Sequence, residues 1–343
     1  MRSFASDNNS GVHPAILRAI EQANIDHAVG YGNDPWTAEA IQVLRRVFGP
    51  SADPFFVFNG TGANSVALQA ATRSFNSILC AQTGHINVDE CGAPTRMSGC
   101  LLVTIATPDG KLTPELLRPH LHNFGDCHHA QPKAVYLSQA TELGTLYTPD
   151  QVRAIADLVH AHGMYLHMDG ARLANACAAL GCTMRETTLD AGVDILSLGG
   201  TKNGMLMGEA VISFREELSA LLPFCRKQSA QLASKLRYLS AQFVPYFNDN
   251  LWLDNARQAN RQARRLAEGL ERYPQVRFSQ KVESNQLFCI LPAAAIERLQ
   301  REYVFYLWDD SVDEARFVTS WDTTDEDVDG LIAAVGRALQ AGE

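Results

Sequence analysis

Two short segments carry residue types that could do chemistry together. Met164-Tyr165-Leu166-His167-Met168-Asp169-Gly170-Ala171-Arg172 is an apolar run leading to an acid, and Ser197-Leu198-Gly199-Gly200-Thr201-Lys202-Asn203-Gly204 is one leading to a glycine-flanked lysine. If both runs are strands of one sheet, their ends hold a carboxylate and an amine at the same edge. Pyridoxal 5'-phosphate (PLP) requires that pair, a lysine amine to form an imine with the aldehyde and an acid to keep the pyridine nitrogen protonated.

Five of the six lysines (Lys111, Lys133, Lys227, Lys235 and Lys281) sit in polar or amphipathic contexts, where a solvated stem is the default. Lys202 instead follows an apolar strand between Gly199-Gly200 and Gly204, which permit close approach of backbone to a planar ring. Burial there lowers an amine's pKa and favours the neutral, imine-forming state. Asp169 would face the ring nitrogen; its competing role is N-cap of a helix from Ala171. Arg172 could reach the ring's phenolic oxygen, or form a surface ion pair.

Phe55-Phe56-Val57-Phe58 reads as a strand, Asn59-Gly60-Thr61-Gly62 as a turn, and Ala63 to Arg73 as a helix. Free N–H groups of Gly60, Thr61 and Gly62 at such a helix start suit a phosphate. The letters G-T-G-A-N-S nearly match the dinucleotide fingerprint, but Ser65 replaces the third small residue. In addition, the next strand, Ile78–Ala81, ends in Gln82-Thr83 without the ribose-binding acid. His85 follows that strand, where its ring could stack on a bound cofactor. His120, His122, His128 and His129 crowd one loop without the spacing of a metal site, and no metal is expected. Asp325-Glu326-Asp327-Val328-Asp329-Gly330 resembles half of an EF-hand loop. Gly336 stands where the closing glutamate belongs, and a capping box of Thr323 with Glu326 fits better.

These residues need elements to position them. Strand signals at Ala134–Ser138, Met164–Met168, Val193–Leu198 and Ala210–Phe214 alternate with helical stretches, among them one capped by Thr148-Pro149 with Val152, Ile155, Ala156 and Val159 on a single face. That alternation predicts an α/β fold with a mostly parallel sheet, helices on both faces, and ligands at the carboxyl ends of the strands. Beyond Gln228 the pattern becomes a long helix over 257–272 and short strands near 276–278 and 286–291. A large domain over 1–248 and a smaller α+β domain over 249–343 are therefore expected. With 343 residues, 46% hydrophobic and 20% charged, the chain has ample core. A net charge of −9 without basic-aromatic runs argues against nucleic acid. No apolar stretch is long enough for a membrane span, no signal peptide is apparent, and the eight cysteines lack C-x-x-C spacing, so a cytoplasmic protein with free thiols is expected.

Taken together, the strings around Gly60-Thr61, His85, Asp169-Gly170-Ala171-Arg172, Lys202 and Arg316 resemble the L-threonine aldolases, fold-type-I PLP enzymes of the β-eliminating lyase group. The resemblance runs from Ser6-Asp7 to Arg316-Phe317-Val318-Thr319-Ser320-Trp321-Asp322, and H-M-D-G-A-R is its most specific motif. It implies Lys202 as the imine lysine, Asp169 as partner of the ring nitrogen, Arg172 at the phenolic oxygen and His85 stacked on the ring. Gly60, Thr61 and Gly62 would hold the phosphate, Ser6 and Arg316 the substrate carboxylate. His128 would lie near the substrate hydroxyl, and Tyr31 would line the site. Arg226 and Lys227 would reach a neighbouring subunit's phosphate in a homotetramer of close dimers. T-K-N-G-M-L-M-G departs from the common S-K-G-L-G-A-P-V-G and is closer to a bacterial low-specificity, phenylserine-type branch. The implied activity is cleavage of L-threonine or L-allo-threonine to glycine and acetaldehyde, with His85 or His128 as base. The alternatives are a β-eliminating lyase, racemase or aminotransferase on the same scaffold, or a non-catalytic or dinucleotide-binding α/β protein.

Overall fold

The computed structural model describes residues 2–340, and among them eleven strands form two sheets. The larger sheet contains β1 (Asp53–Val57), β2 (Asn76–Ala81), β3 (Leu101–Ile105), β4 (Gln131–Ser138), β5 (Tyr165–Gly170), β6 (Ile195–Gly199) and β7 (Glu209–Ser213) in the order β1-β7-β6-β5-β4-β2-β3. β2 to β6 pair in parallel, while β7 is antiparallel to both β6 and β1. The fold is thus the mostly parallel α/β sheet that the alternation predicts, with one reversed strand. Every residue of β2, β6 and β7 is buried, which explains why these strands read as continuous apolar runs rather than alternating ones.

Local signals placed the helices that cover this sheet. Thr148 and Gln151 form a full capping box at the start of the Pro149–Ala161 helix. Val152, Ile155, Ala156 and Val159 are buried and the helix packs on β5, as the 3.6-residue spacing required. Each of the buried Val and Ile side chains contributes roughly 1.5–3 kcal/mol.

The smaller sheet contains β8 (Arg277–Phe278), β9 (Gln286–Ile290), β10 (Tyr306–Asp309) and β11 (Glu314–Val318), all antiparallel, in the order β10-β11-β9-β8. The Leu251–Leu270 helix packs on the Leu173–Leu180 helix, where Asn175 and Asn260 exchange hydrogen bonds of 3.1 and 2.8 Å. The first residues touch both sheets. Ser3 bridges Val304, and Phe4 is buried in the core beneath the smaller sheet. Ala5, Ser6 and Asp7 then cross to the larger sheet. The box before the Asp325–Gln340 helix lies one residue later than expected: Thr324 Oγ1 accepts from Asp327 N–H and Asp327 accepts from Thr324 N–H. Thr323 instead accepts a hydrogen bond from Ser320 N–H.

Candidate active site

The carboxyl ends of β1, β2, β4, β5 and β6 share one edge, and beside them opens a cleft of about 950 Å³. Ser6, His85, Glu142, Arg172, Lys202 and Arg316 line it, together with Tyr306, Leu307 and Trp308 from the smaller sheet. The cleft thus lies where an open α/β sheet gathers its ligands, roofed by β10 and β11.

Asp169 is the penultimate residue of β5 and is buried. Its Oδ2 accepts from Asn64 Nδ2 and from the Tyr136 hydroxyl, both at 2.8 Å, and its Oδ1 accepts from Ala171 N–H at 2.9 Å. Burial alone would push its pKa up, but the charge of His85 and the donors from Asn64 and Ala171 outweigh it and hold the group below the ordinary carboxylate value. The acid is ionised and fixed, the state needed to stabilise a protonated ring nitrogen. The N-cap role that competed at sequence level is absent: Arg172 occupies the cap position of the Leu173–Leu180 helix.

Lys202 lies in a 3₁₀ turn after β6, open to the cleft and otherwise enclosed by protein. Burial first, and then Arg172, lower its pKa, against the opposing charges of Asp7, Asp169 and Glu209. Glu209 begins β7 directly opposite Gly199 and accepts from Gly200 N–H at 3.2 Å. Burial raises its pKa to about 7.

Arg172 donates through Nε and Nη2 to Asp7 at 2.7 and 2.9 Å, a bidentate pair in which the acid side chain is fully enclosed. Asn285 Nδ2 adds a third bond to Asp7 at 3.1 Å. Ser6 caps the short 3₁₀ turn that holds Asp7, accepting from Asn8 N–H at 3.2 Å. Arg316, on β11, has its guanidinium 5.5 Å from the Tyr306 ring and 5.1 Å from the Trp308 ring. One Nη donates to the Ala5 carbonyl, whereas the buried Nε has no partner. Burial, and then Arg172, pull its pKa down to about 10. A guanidinium aimed into a cleft with spare donors fits an incoming carboxylate.

Gly60, Thr61 and Gly62 open the Gly60–Ala71 helix as expected. Asn59 caps Gly62 N–H at 2.7 Å, while Gly60 and Thr61 stand in the first turn, whose N–H groups have no intrahelical partner. A Cβ at Gly62 would run into the Gln231 amide, which itself holds Phe58 N–H at 3.0 Å. Asn64, one turn along, reaches Asp169, so the helix start and the acid share a side of the sheet. An amine with no hydrogen-bond acceptor among the described residues, an ionised acid and an open helix start together fit a group bearing an aldehyde, a basic ring nitrogen and a phosphate.

The structure does not bring every expected residue to the cleft. His128 is exposed in the loop before β4, whereas Asp169 pairs with Ser138 at that strand's far end. Eight residues of strand separate the two edges by about 23 Å, so His128 does not reach the cleft of its own chain. Asp126, Cys127 and His128 bring their ligand atoms within 4.8 Å of one another on this exposed loop. Tyr31 is exposed, with the Lys227 ammonium 5.2 Å over its ring, and is not part of the cleft lining. Arg226 packs over Phe55 of its own chain and donates to the Phe56 carbonyl at 3.3 Å. Conversely, Asp7, Asn64, Glu90, Tyr136, Glu142, Glu209, Tyr306 and Trp308 were not singled out from sequence. Their signal there is weak: polar letters inside otherwise apolar runs for Asn64, Tyr136 and Glu209, and nothing distinctive for the others.

The family model for beta-eliminating lyases matches residues 3–292. A low-specificity L-threonine aldolase of Pseudomonas aeruginosa is 45% identical over 99% of this chain and 99% of its own length. One from another Pseudomonas strain is 42% identical with the same coverage of both chains. Among solved structures, a threonine aldolase of Leishmania major superposes with a TM-score of 0.92 at 32% identity, covering 98% of this chain and 99% of its own. The architecture is therefore the fold-type-I arrangement that the resemblance implied. On matches of this length and identity, the chain belongs to the beta-eliminating lyase family, within its L-threonine aldolases.

Proposed function

We propose that the protein is a PLP-dependent aldehyde-lyase that cleaves L-threonine, L-allo-threonine and related β-hydroxy-α-amino acids to glycine and an aldehyde. The observation that carries this reading is the ionised, triply bonded Asp169 on the same edge as Lys202, whose amine opens to the cleft beneath a guanidinium with a spare donor. PLP, when bound, supplies the electron sink that makes cleavage next to an α-amino carbon possible. Lys202 would hold it, Asp169 would keep its nitrogen protonated, and Gly60, Thr61 and Gly62 would receive its phosphate. Arg172, held by Asp7 through Nε and Nη2, would donate from its remaining N–H groups toward the ring's phenolic oxygen.

The chain's own residues then set the outcome. Arg316 and Ser6 would bind the substrate carboxylate and so choose which bond at the α-carbon is aligned for cleavage. His85 lies in the cleft, and its Nε2 would accept the proton of the β-hydroxyl. His128, exposed before β4 and outside the cleft lining, has less support for that role within its own chain.

The assembly is proposed to be a homotetramer of close dimers. Exposed Val29, Tyr31 and Phe224, near the Lys227 cation, support an interface in that region. The eight unpaired cysteines favour a reducing, cytoplasmic setting. Among the described residues, no helix is long and apolar enough to cross a membrane. Borohydride reduction of the purified protein, followed by peptide mass spectrometry, should place a pyridoxyl group on Lys202, and threonine should give glycine and acetaldehyde. Ammonia with a keto acid would instead identify an eliminating lyase, and a protein that takes up no cofactor would refute the reading.

A further inference from the structure

His85, the cleft histidine, is bound to groups that the reaction outlined above does not use. It opens the short His85–Val88 helix, and its backbone N–H donates to Glu142 Oε1 at 2.8 Å. Its ring Nδ1 lies 2.7 Å from Oε1 of Glu90, a carboxyl group whose side chain has no solvent exposure. That same oxygen accepts from Asn64 Nδ2 at 2.7 Å, and this amide nitrogen also donates to Asp169 Oδ2. One side-chain amide therefore bridges the acid beneath the histidine and the acid at the end of β5. Two buried acceptors in this cluster, Glu90 Oε2 and Asn64 Oδ1, have no donor among the described residues.

A carboxylate oxygen can only accept, so the Glu90 contact puts a proton on Nδ1 and leaves Nε2 as the one ring nitrogen free to take another. The same logic operates where a buried aspartate orders a catalytic histidine. We infer that Glu90 is a positioning residue for the reaction proposed above, fixing the ring and tautomer of His85 so that Nε2 receives the β-hydroxyl proton. Asn64 ties this pair to Asp169. The inference rests on His85 acting as the base; the geometry of the pair does not.

On proton transfer, the O–H bond of the substrate breaks, an Nε2–H bond forms, and Nδ1–H stays with Glu90. The positive charge that develops on the ring lies against a buried carboxylate rather than in bulk water. Groups facing His85 are Glu90 on its own loop, Glu142 beyond β4, Asp169 on β5 and Lys202 after β6. Burial and Lys202 oppose a charged ring; Glu90 and Asp169 favour it and prevail, so the pKa stands above the ordinary histidine value. The Glu90 hydrogen bond and the negative charge of Asp169 are the physical reason that a proton is welcome there.

The test is the rate of carbethoxylation of His85 by diethyl pyrocarbonate against pH, followed by peptide mass spectrometry, because only the unprotonated ring reacts. It is read on the purified full-length protein with and without added PLP, so its result does not depend on turnover. In Glu90→Gln the half-point should fall by about one pH unit, with Glu90→Asp restoring most of it. The acid limb of kcat/KM should move in parallel, and kcat should drop about 10–100-fold with little change in KM. If Glu90→Gln does not accumulate as folded protein, Asn64→Ala carries the test. Removing a donor from both acids should move the half-point the opposite way, upward. An unmoved half-point in either variant overturns the inference. An aldolase test that fails while the half-point shifts overturns only the proposed reaction.

Discussion

Asp7→Asn is the substitution whose consequence follows most directly from the structure. Asp7 Oδ2 accepts from both Arg172 Nε and Asn285 Nδ2, and Oδ1 accepts from Arg172 Nη2. An asparagine has one acceptor oxygen, so its amide nitrogen must face a donor whichever way it is turned. The acid side chain is fully enclosed and Arg172 is only 12% exposed, so solvent screens the pair little. Removing one partner of a buried pair typically costs about 3–5 kcal/mol, because the other charge stays desolvated and alone. Urea unfolding should therefore show a lower midpoint at unchanged slope. The sign with pH is also fixed. Burial opposes ionisation most strongly, but the charges of Arg172 and Lys202 and the donors from Arg172 and Asn285 together overcome it and hold the folded Asp7 below its ordinary value of 3.8, so its contribution is complete above that pH and lost as pH falls below it. Wild type and variant should accordingly converge in acid. Arg172→Met combined with Asp7→Asn should cost clearly less than the sum of the single changes. A single-variant loss under about 1 kcal/mol, or strict additivity, would refute the claim that this pair locks the first residues to the cleft.

Arg316→Lys keeps the charge but loses the planar fork, so KM for the amino acid should rise about 10–100-fold with a smaller change in kcat; equal KM values in steady-state kinetics would contradict carboxylate binding there. Glu209→Gln addresses an acid whose pKa burial raises to about 7 from 4.5. A raised carboxyl pKa makes wild-type stability decline as pH climbs from the unfolded to the folded value, by about 3–4 kcal/mol in full. The variant should thus gain more at alkaline than at acidic pH, and thermal midpoints that move equally at both would count against this. Gly62→Ala places a Cβ against the Gln231 amide, so PLP affinity and stability should both drop, the latter by about 1–3 kcal/mol. Gln231→Ala in the same chain should relieve that loss, as equilibrium dialysis with PLP and urea midpoints would reveal.

Much of the scaffold was legible because its signals are local. The Thr148 capping box, the apolar face of the Pro149–Ala161 helix and the apolar strands leading to Asp169 and Lys202 each depend on residues close in sequence. β10 and β11 were not seen, since Tyr306–Asp309 and Glu314–Val318 are short and interrupted by charge, and their pairing is what stabilises them. Glu209 was missed for a topological reason. Ligands of such sheets gather at the carboxyl ends of strands, but β7 runs backwards and presents its first residue at that edge.

The sequence by itself determined the α/β class and the chemical types at the cleft: an amine after a strand, an acid at a strand end, glycines at a helix start and a histidine after β2. Tertiary structure alone decided which groups touch. It put Asp7 on Arg172 across 165 residues, hung Asn64 between Glu90 and Asp169, lowered Arg316 from a second sheet into the cleft, and left His128 at the far edge. The physical reason is range. Caps, turns and periodic faces are energies of neighbours along the chain, whereas a buried ion pair or shared amide exists only once packing has excluded water from residues far apart in sequence.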